Sequence, residues 1–243
     1  MIVLENITKK YQGKSVLFDL SLEISEHETM CILGVSGCGK STLLKVMAGL
    51  ELPDDGSFEM ENQHVFDIPA EKRGIVYMSQ EPLLFPHLNV FENIAFGLRV
   101  RKWTNSEVEE KVNALATRLG LTAELMKMPH QLSGGQKQRV NFGRSLIIEP
   151  RLILLDEPFG SLDSQTRAEM QQLFHDVRKE KKITALFVTH DIKEALIMGD
   201  RIARMDKGQL KVYPSSAAFL NSGDDDVVKE LSFWNGVING EMI

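Results

Sequence analysis

Gly34-Val35-Ser36-Gly37-Cys38-Gly39-Lys40-Ser41-Thr42 carries the spacing G-x-x-x-x-G-K-S/T. A short apolar run, Met30 to Val35, leads into it, and apolar residues at helical spacing follow from Ser41 to Leu50. Glycines let successive backbone N–H groups turn inward without side-chain clash, and the N-terminus of the next helix adds its positive dipole end. The segment therefore predicts a loop that cradles phosphates between a strand and a helix. Lys40 offers a point charge to the β- and γ-phosphates of a nucleotide, and Ser41 offers a hydroxyl to Mg2+, which prefers oxygen ligands. A glycine turn that binds nothing is the bland alternative, and the strand-loop-helix setting argues against it. Kinases and GTPases use the same loop, so the motif alone does not choose the reaction. A second apolar run, Leu152 to Leu155, ends in Asp156-Glu157. In an open parallel sheet ligands sit beyond the carboxyl ends of the strands, which lets these acids face the loop. Successive strand side chains point to opposite faces, so the two need not share a task. We assign Asp156 to Mg2+, directly or through water, and Glu157 to polarising the attacking water as general base.

Such groups need a frame, and the 243 residues are enough for one. Hydrophobic residues make up 43% and charged residues 26%, an ordinary globular composition rather than that of a disordered chain. Twenty-eight Lys and Arg against 34 Asp and Glu give a net charge of −6, so no overall positive field draws in nucleic acid, and no nucleic-acid partner is expected. The two cysteines, Cys31 and Cys38, are too few for a disulfide scaffold. No apolar run approaches the roughly 18 residues of a membrane span, and the early charges Glu5, Lys9 and Lys10 argue against a signal peptide. Attachment to a membrane then requires a partner.

Along the chain, Met1 to Leu4 and Ser15 to Ile24 read as strands with a turn at Gly13-Lys14, and Ile75 to Met78 as another. From Val90 to about Glu149 the pattern is helical: Val108, Val112, Leu115, Ala116 and Leu119 fall three and four apart between Ser106 and Leu119, and Pro129 interrupts the stretch. Leu152 to Leu155 and Ala185 to Val188 are continuous apolar runs, the pattern of strands buried on both faces of a parallel sheet. Ile202 to Met205 and Gly208 to Val212 suggest a hairpin, and Asp224-Asp225-Asp226 opens a polar tail. The reading is α/β with a largely helical insert, without internal repeats.

Leu132-Ser133-Gly134-Gly135-Gln136 separates the phosphate-loop enzymes. As residue types alone, Ser-Gly-Gly opening a helix is a common N-cap whose orphan N–H donors also make an anion site. With this pentapeptide the chain resembles the nucleotide-binding subunit of ATP-binding cassette (ABC) transporters, a likeness that covers residues 1 to about 215. Kinases and GTPases lack it. The resemblance implies a P-loop NTPase fold: a RecA-like parallel-sheet core, an N-terminal antiparallel β subdomain, and an α-helical subdomain at about 90–150 that carries the signature. Residues 1–220 would form one ATP-binding domain and 221–243 a tail. The ligands implied are ATP and Mg2+. Ser133, Gly134, Gly135 and Gln136 would serve the γ-phosphate of an ATP held in the phosphate loop of a second subunit, so that a head-to-tail homodimer, or a heterodimer with a related ATPase, makes two composite sites. By the same resemblance Tyr11 stacks on adenine, Gln80 approaches Mg2+ and the water, Asp163 lies in the loop that crosses the dimer, and His190 hydrogen-bonds the γ-phosphate. The chain departs from the family at Asn141 and Gly143, where small apolar residues are usual; Gly143 then predicts either close helix packing or a slight weakening of the helix, rather than lost chemistry. Cys38 holds a variable position in the loop and reads as a spectator thiol open to oxidants.

The segment from Pro69 to Leu98 is similar to the corresponding part of bacterial importers for sugars, polyamines, iron(III), oxyanions or thiamine. This likeness implies a groove that receives a helix of the transmembrane permease, with Phe85, Leu88, Phe91 and Ile94 exposed and Glu92 beside them. It further implies an extracytoplasmic solute-binding protein that acts through the permease, and a peripheral location on the cytoplasmic side of the cell membrane. Phe233 to Ile238 read either as the remnant of a regulatory domain or as a tail that docks on the partner. Two other readings stand beside the importer: an exporter or lipid-extracting ATPase subunit, and a soluble cassette protein bound to nucleic acid or ribosomes.

Overall fold

Every residue of three strands, Thr29–Leu33, Leu152–Asp156 and Thr184–Thr189, is buried, as continuous apolar runs demand. The computed structural model that shows this describes residues 1–224, 227–229 and 232. In chain order the elements begin with β1 (Ile2–Tyr11), β2 (Lys14–Ile24), β3 (Thr29–Leu33), α1 (Lys40–Ala48), β4 (Asp55–Met60), β5 (Gln63–His64) and β6 (Ile75–Met78). Three helices follow, α2 (Val90–Val100), α3 (Asn105–Arg118) and α4 (Gly134–Leu146). The chain continues as β7 (Leu152–Asp156), α5 (Ser164–Lys181), β8 (Thr184–Thr189), α6 (Ile192–Met198), β9 (Arg201–Asp206), β10 (Gln209–Tyr213) and α7 (Ser216–Leu220).

One sheet is antiparallel, in the order β2-β1-β4-β5, and the other runs β10-β9-β3-β8-β7-β6. The second is parallel apart from β10. Period-two alternation divides its side chains between two cores. Met30, Ile32, Leu152, Leu154, Leu186 and Val188 pack with α1 and the antiparallel sheet. Cys31, Leu33, Ile153, Leu155, Ala185 and Phe187 pack with the helices of the insert and with α5. Register then sets the site: Leu33 lies beside Thr189, and Val188 beside Asp156. The carboxyl ends of β3, β8 and β7 thus stand side by side.

β1 runs well past the expected Leu4. Asn6 takes a positive φ of 55° where the pairing with β2 shifts register, a bulge that lets a polar stretch stay in the sheet. In the insert, α3 starts one residue earlier than expected, behind a capping box of Thr104 and Glu107. The close packing expected at Gly143 is present, since a Cβ there would sit 2.7 Å from Leu119 Cδ1. The exposure expected after Gln80 needs correction. Ile94 is fully buried, and Phe85, Leu88 and Phe91 are half-buried. Helical periodicity explains this: Val90, Ile94 and Leu98 form the inward stripe of α2. Leu83 and Phe96 are the large apolar residues left outside, 65% and 39% exposed. Buried Asn93 holds the intervening turn by accepting from Phe85 N–H and donating to Leu88 O, both at 2.8 Å. Among the described residues no helix is long and apolar enough to cross a membrane. The polar Asp225-Asp226 pair and Phe233 to Ile238 lie outside the described residues.

Candidate active site

The loop from Gly34 to Gly39 leaves β3 and enters α1 through Gly39 at φ 118°, a conformation that L side chains rarely adopt. Gly34 is needed for space, because a Cβ there would lie 2.6 Å from Met205 O and 2.7 Å from Cys38 Sγ. Lys40, only 5% exposed, bends back so that Nζ donates to Gly34 O at 2.6 Å and Val35 O at 3.1 Å. The same ammonium stands 3.8 Å from Glu157 Oε1. Ser41 Oγ donates to Asp156 Oδ1 at 3.1 Å, and Tyr77 OH donates to Asp156 Oδ2 at 2.9 Å. Burial, and then the Asp156 carboxylate beside it, push the Tyr77 hydroxyl far above its ordinary pKa, so it keeps its proton and acts as the donor. Ser41 and Asp156 form an all-oxygen donor pair that suits a hard cation, and Mg2+ commonly takes one or two carboxylates plus substrate phosphates.

Asp156 and Glu157 diverge, as expected, but by a different route. Asp156 is the last residue of β7, and Glu157 leaves the strand at φ 44°. A left-handed non-glycine residue of this kind costs of order 1–3 kcal/mol and persists where its surroundings over-determine it. Here Glu157 N–H donates to Val188 O at 3.1 Å, and its carbonyl accepts from Gly160 N at 3.2 Å. The turn sends the side chain toward His190, whose Nδ1 lies 2.9 Å from Glu157 Oε2. His190 follows β8 directly and is mostly exposed. Behind it Thr189 Oγ1 donates to Glu194 Oε2 at 2.5 Å, and Gln171 Nε2 donates to Glu194 Oε1 at 3.2 Å. Burial raises the Glu194 carboxyl above its ordinary pKa.

Lys40, Ser41, Asp156, Glu157 and His190 are thus joined by direct contacts. Gln80 is exposed two residues past β6, and its Nε2 comes within 3.8 Å of the place a Cβ of Gly160 would take. Tyr11 closes β1, 41% exposed, with its hydroxyl on Glu51. Ser133 caps α4 through a capping box: its Oγ accepts from Gln136 N at 3.2 Å, and Gln136 Oε1 accepts from Ser133 N at 3.0 Å. A Cβ at Gly134 would meet nothing within 4 Å, whereas one at Gly135 would strike Thr166 Cγ2 at 2.5 Å. Asp163 caps α5, and the Thr166 backbone N–H holds its carboxyl below the usual range. Among the described residues no hydrogen bond or ion pair joins Tyr11, Asp163 or the stretch from Ser133 to Gln136 to the Lys40-Glu157 cluster.

Sequence reasoning missed Tyr77, whose partner lies 79 positions away and whose place in a short apolar strand reads as packing. It also missed Gln138, a buried signature-helix side chain that donates to Pro158 O just after Glu157. Cys38 is 6% exposed, and burial raises its thiol despite the opposing charge of Lys40. The thiolate is the nucleophile, so its fraction at neutral pH is low. Iodoacetamide at pH 7 is expected to alkylate Cys38 more slowly than a free cysteine, with the rate rising as pH approaches the thiol's raised pKa. Mass spectrometry of quenched time points reads this out, and rapid labelling at pH 7 contradicts it.

A glycine loop between a central strand and α1, with an oxygen-donor pair and a carboxylate-histidine pair at the neighbouring strand ends, defines a phosphate-loop nucleoside triphosphatase. Within that class the family model described as ABC transporter matches residues 17–160, more than half the chain, and the protein belongs to this family as its ATP-hydrolysing subunit. It is 41% identical over 247 residues to the molybdate/tungstate import ATP-binding protein of Thermococcus kodakarensis, a match that covers all of this chain and 74% of the relative. It is also 41% identical over 214 residues to the sulfate/thiosulfate import ATP-binding protein of Mannheimia succiniciproducens, covering 86% and 60%. The spermidine/putrescine import ATP-binding protein of Vibrio cholerae matches at 41% over 211 residues, covering 87% and 56%. Among solved structures, a dimeric bacterial ABC transporter cassette superposes with a TM-score of 0.79 at 32% identity, covering 89% of this chain and 99% of the other. A dimeric post-hydrolysis state of an ATP-binding cassette, bound to ADP and Pi, gives 0.79 at 31% identity with the same coverage.

Proposed function

We propose that the chain works as a head-to-tail dimer with two composite ATP sites and drives solute import through transmembrane permease subunits. The observation that carries the dimer is the separation between two halves of one site. The phosphate loop, Asp156, Glu157 and His190 are in mutual contact, while the open N-terminus of α4 at Ser133-Gly134 has no bond to them. Its orphan donors suit a second subunit's γ-phosphate, and the solved relatives are dimers.

In this site Lys40 and the loop amides bind the β- and γ-phosphates. Ser41 and Asp156 would hold Mg2+, which supplies charge neutralisation on the phosphate oxygens. Glu157 accepts the proton of the attacking water, and His190 at 2.9 Å orients that carboxylate and reaches the γ-phosphate. Gln80, on the loop that follows β6, would approach the metal and the water, while Tyr11 would support adenine, with its hydroxyl bonded to Glu51. Asp163 meets the partner across the dimer.

Import rests on the relatives. The solutes in their names include oxyanions and polyamines, which carry opposite charges, so the cassette they share does not encode the solute. Recognition then belongs to other chains, the permease and an extracytoplasmic solute-binding protein. Leu83 and Phe96, with half-buried Phe85 beneath the Arg144 guanidinium at 5.1 Å, supply an apolar surface for a permease helix. The protein would sit peripherally on the cytoplasmic side of the membrane. Purifying the tagged chain from detergent-solubilised membranes of its source tests this. A permease together with a solute-binding protein is the expected company, and a permease associated with no solute-binding protein, or recovery with ribosomes or RNA, contradicts import.

A further inference from the structure

The Asp156 carboxylate has two hydroxyl donors, one on each oxygen: Ser41 on Oδ1 and Tyr77 on Oδ2. Only the first belongs to the phosphate loop. Tyr77 lies on β6, in register with Leu154 of β7, and both residues belong to the core shared with α1. Asp156 is two residues beyond Leu154 and therefore on the same face, about 6.6 Å further along the strand, a distance a tyrosine ring and hydroxyl can span. The ring is half-buried and has two side-chain torsions, so packing fixes where the hydroxyl stands.

We infer that Tyr77 is a positioning residue for the metal site: its hydroxyl holds Asp156 Oδ2 so that Oδ1 is the oxygen presented beside Ser41. The inference rests on the reading of Asp156 as the Mg2+ carboxylate. A ligating carboxylate free to turn about its last torsion must be ordered when the metal binds, and the Tyr77 bond meets that cost in advance. Partners of this kind typically change metal affinity or activity 10–100-fold when removed. Tyr77 also sits three residues before Gln80, so one short strand carries both the support for Asp156 and the loop expected to approach the metal.

Tyr77→Phe tests the inference, since it removes the hydroxyl and keeps the ring and its packing. A fluorescent ATP analogue is titrated into the purified chain in EDTA, and then at fixed analogue with increasing Mg2+, for the parent, Tyr77→Phe and Asp156→Asn. The expected result is unchanged affinity in EDTA for Tyr77→Phe, with the Mg2+ concentration for half-maximal enhancement raised roughly tenfold or more. Asp156→Asn is expected to raise it at least as far. A parental Mg2+ response in Tyr77→Phe while Asp156→Asn is impaired overturns the role of Tyr77 alone. A parental response in Asp156→Asn overturns the metal reading itself. If Tyr77→Phe weakens analogue binding equally with and without Mg2+, the residue is structural and the inference fails.

Discussion

Glu157→Gln is expected to slow ATP hydrolysis on the order of 10²–10⁴-fold while ATP still binds, because in the proposed mechanism it removes one positioned proton acceptor and little else. Glutamine keeps the length of the side chain and can still meet His190, 2.9 Å away. The backbone that sets the turn, through Val188 O and Gly160 N, is untouched. In the proposed site nucleotide binding draws on Lys40 and the loop amides, so affinity should move far less than turnover. Loss of the carboxylate 3.8 Å from Lys40 even removes a competitor for the ammonium. Steady-state phosphate release and analogue titration on the same preparation separate the two quantities. A parental hydrolysis rate would remove Glu157 from the base role.

Ser133→Arg is expected to abolish hydrolysis and leave ATP binding to the chain's own phosphate loop nearly unchanged. The substitution has two effects, and their sizes differ. Loss of the cap on α4 costs roughly 0.5–2 kcal/mol, within the 5–15 kcal/mol that typically holds a domain together, so the chain should fold. In the proposed dimer the bulk of the arginine side chain falls where the second subunit's γ-phosphate must approach, next to Gly134, which has open space around it, so the obstruction is steric. Ser133→Ala loses the cap without the obstruction and should retain much more activity, which isolates the steric effect. Parental turnover by the arginine variant would refute the composite site.

The parts of this molecule that follow from local rules were legible in the sequence. The buried strands β3, β7 and β8 announced themselves as apolar runs, and the phosphate loop by its glycines and its place between strand and helix. Residues 108–119 showed their inward face by spacing alone. What escaped was set by tertiary partners. The extension of β1 through Asn6 depends on a bulge against β2, which no polar stretch reveals by itself. The likeness of Pro69 to Leu98 implies an exposed Ile94, yet α2 turns it into the core while Phe96 faces out. Pleat alternation predicted that Asp156 and Glu157 would part, but the positive φ of Glu157 does it, aiming the carboxylate at His190. Tyr77 had no local signal, since its hydroxyl matters only once β6 pairs with β7.

Whether two chains share each ATP site can be read from the association state of the Glu157→Gln chain. In the proposed dimer only the γ-phosphate would engage both the phosphate loop of one subunit and the Ser133 end of α4 in the other, and the variant is expected to hydrolyse it too slowly to lose it. Sedimentation velocity of the purified variant should therefore show a dimer with ATP and Mg2+ and a monomer with ADP and Mg2+. A monomer with both nucleotides, or the same dimer with both, would contradict the account.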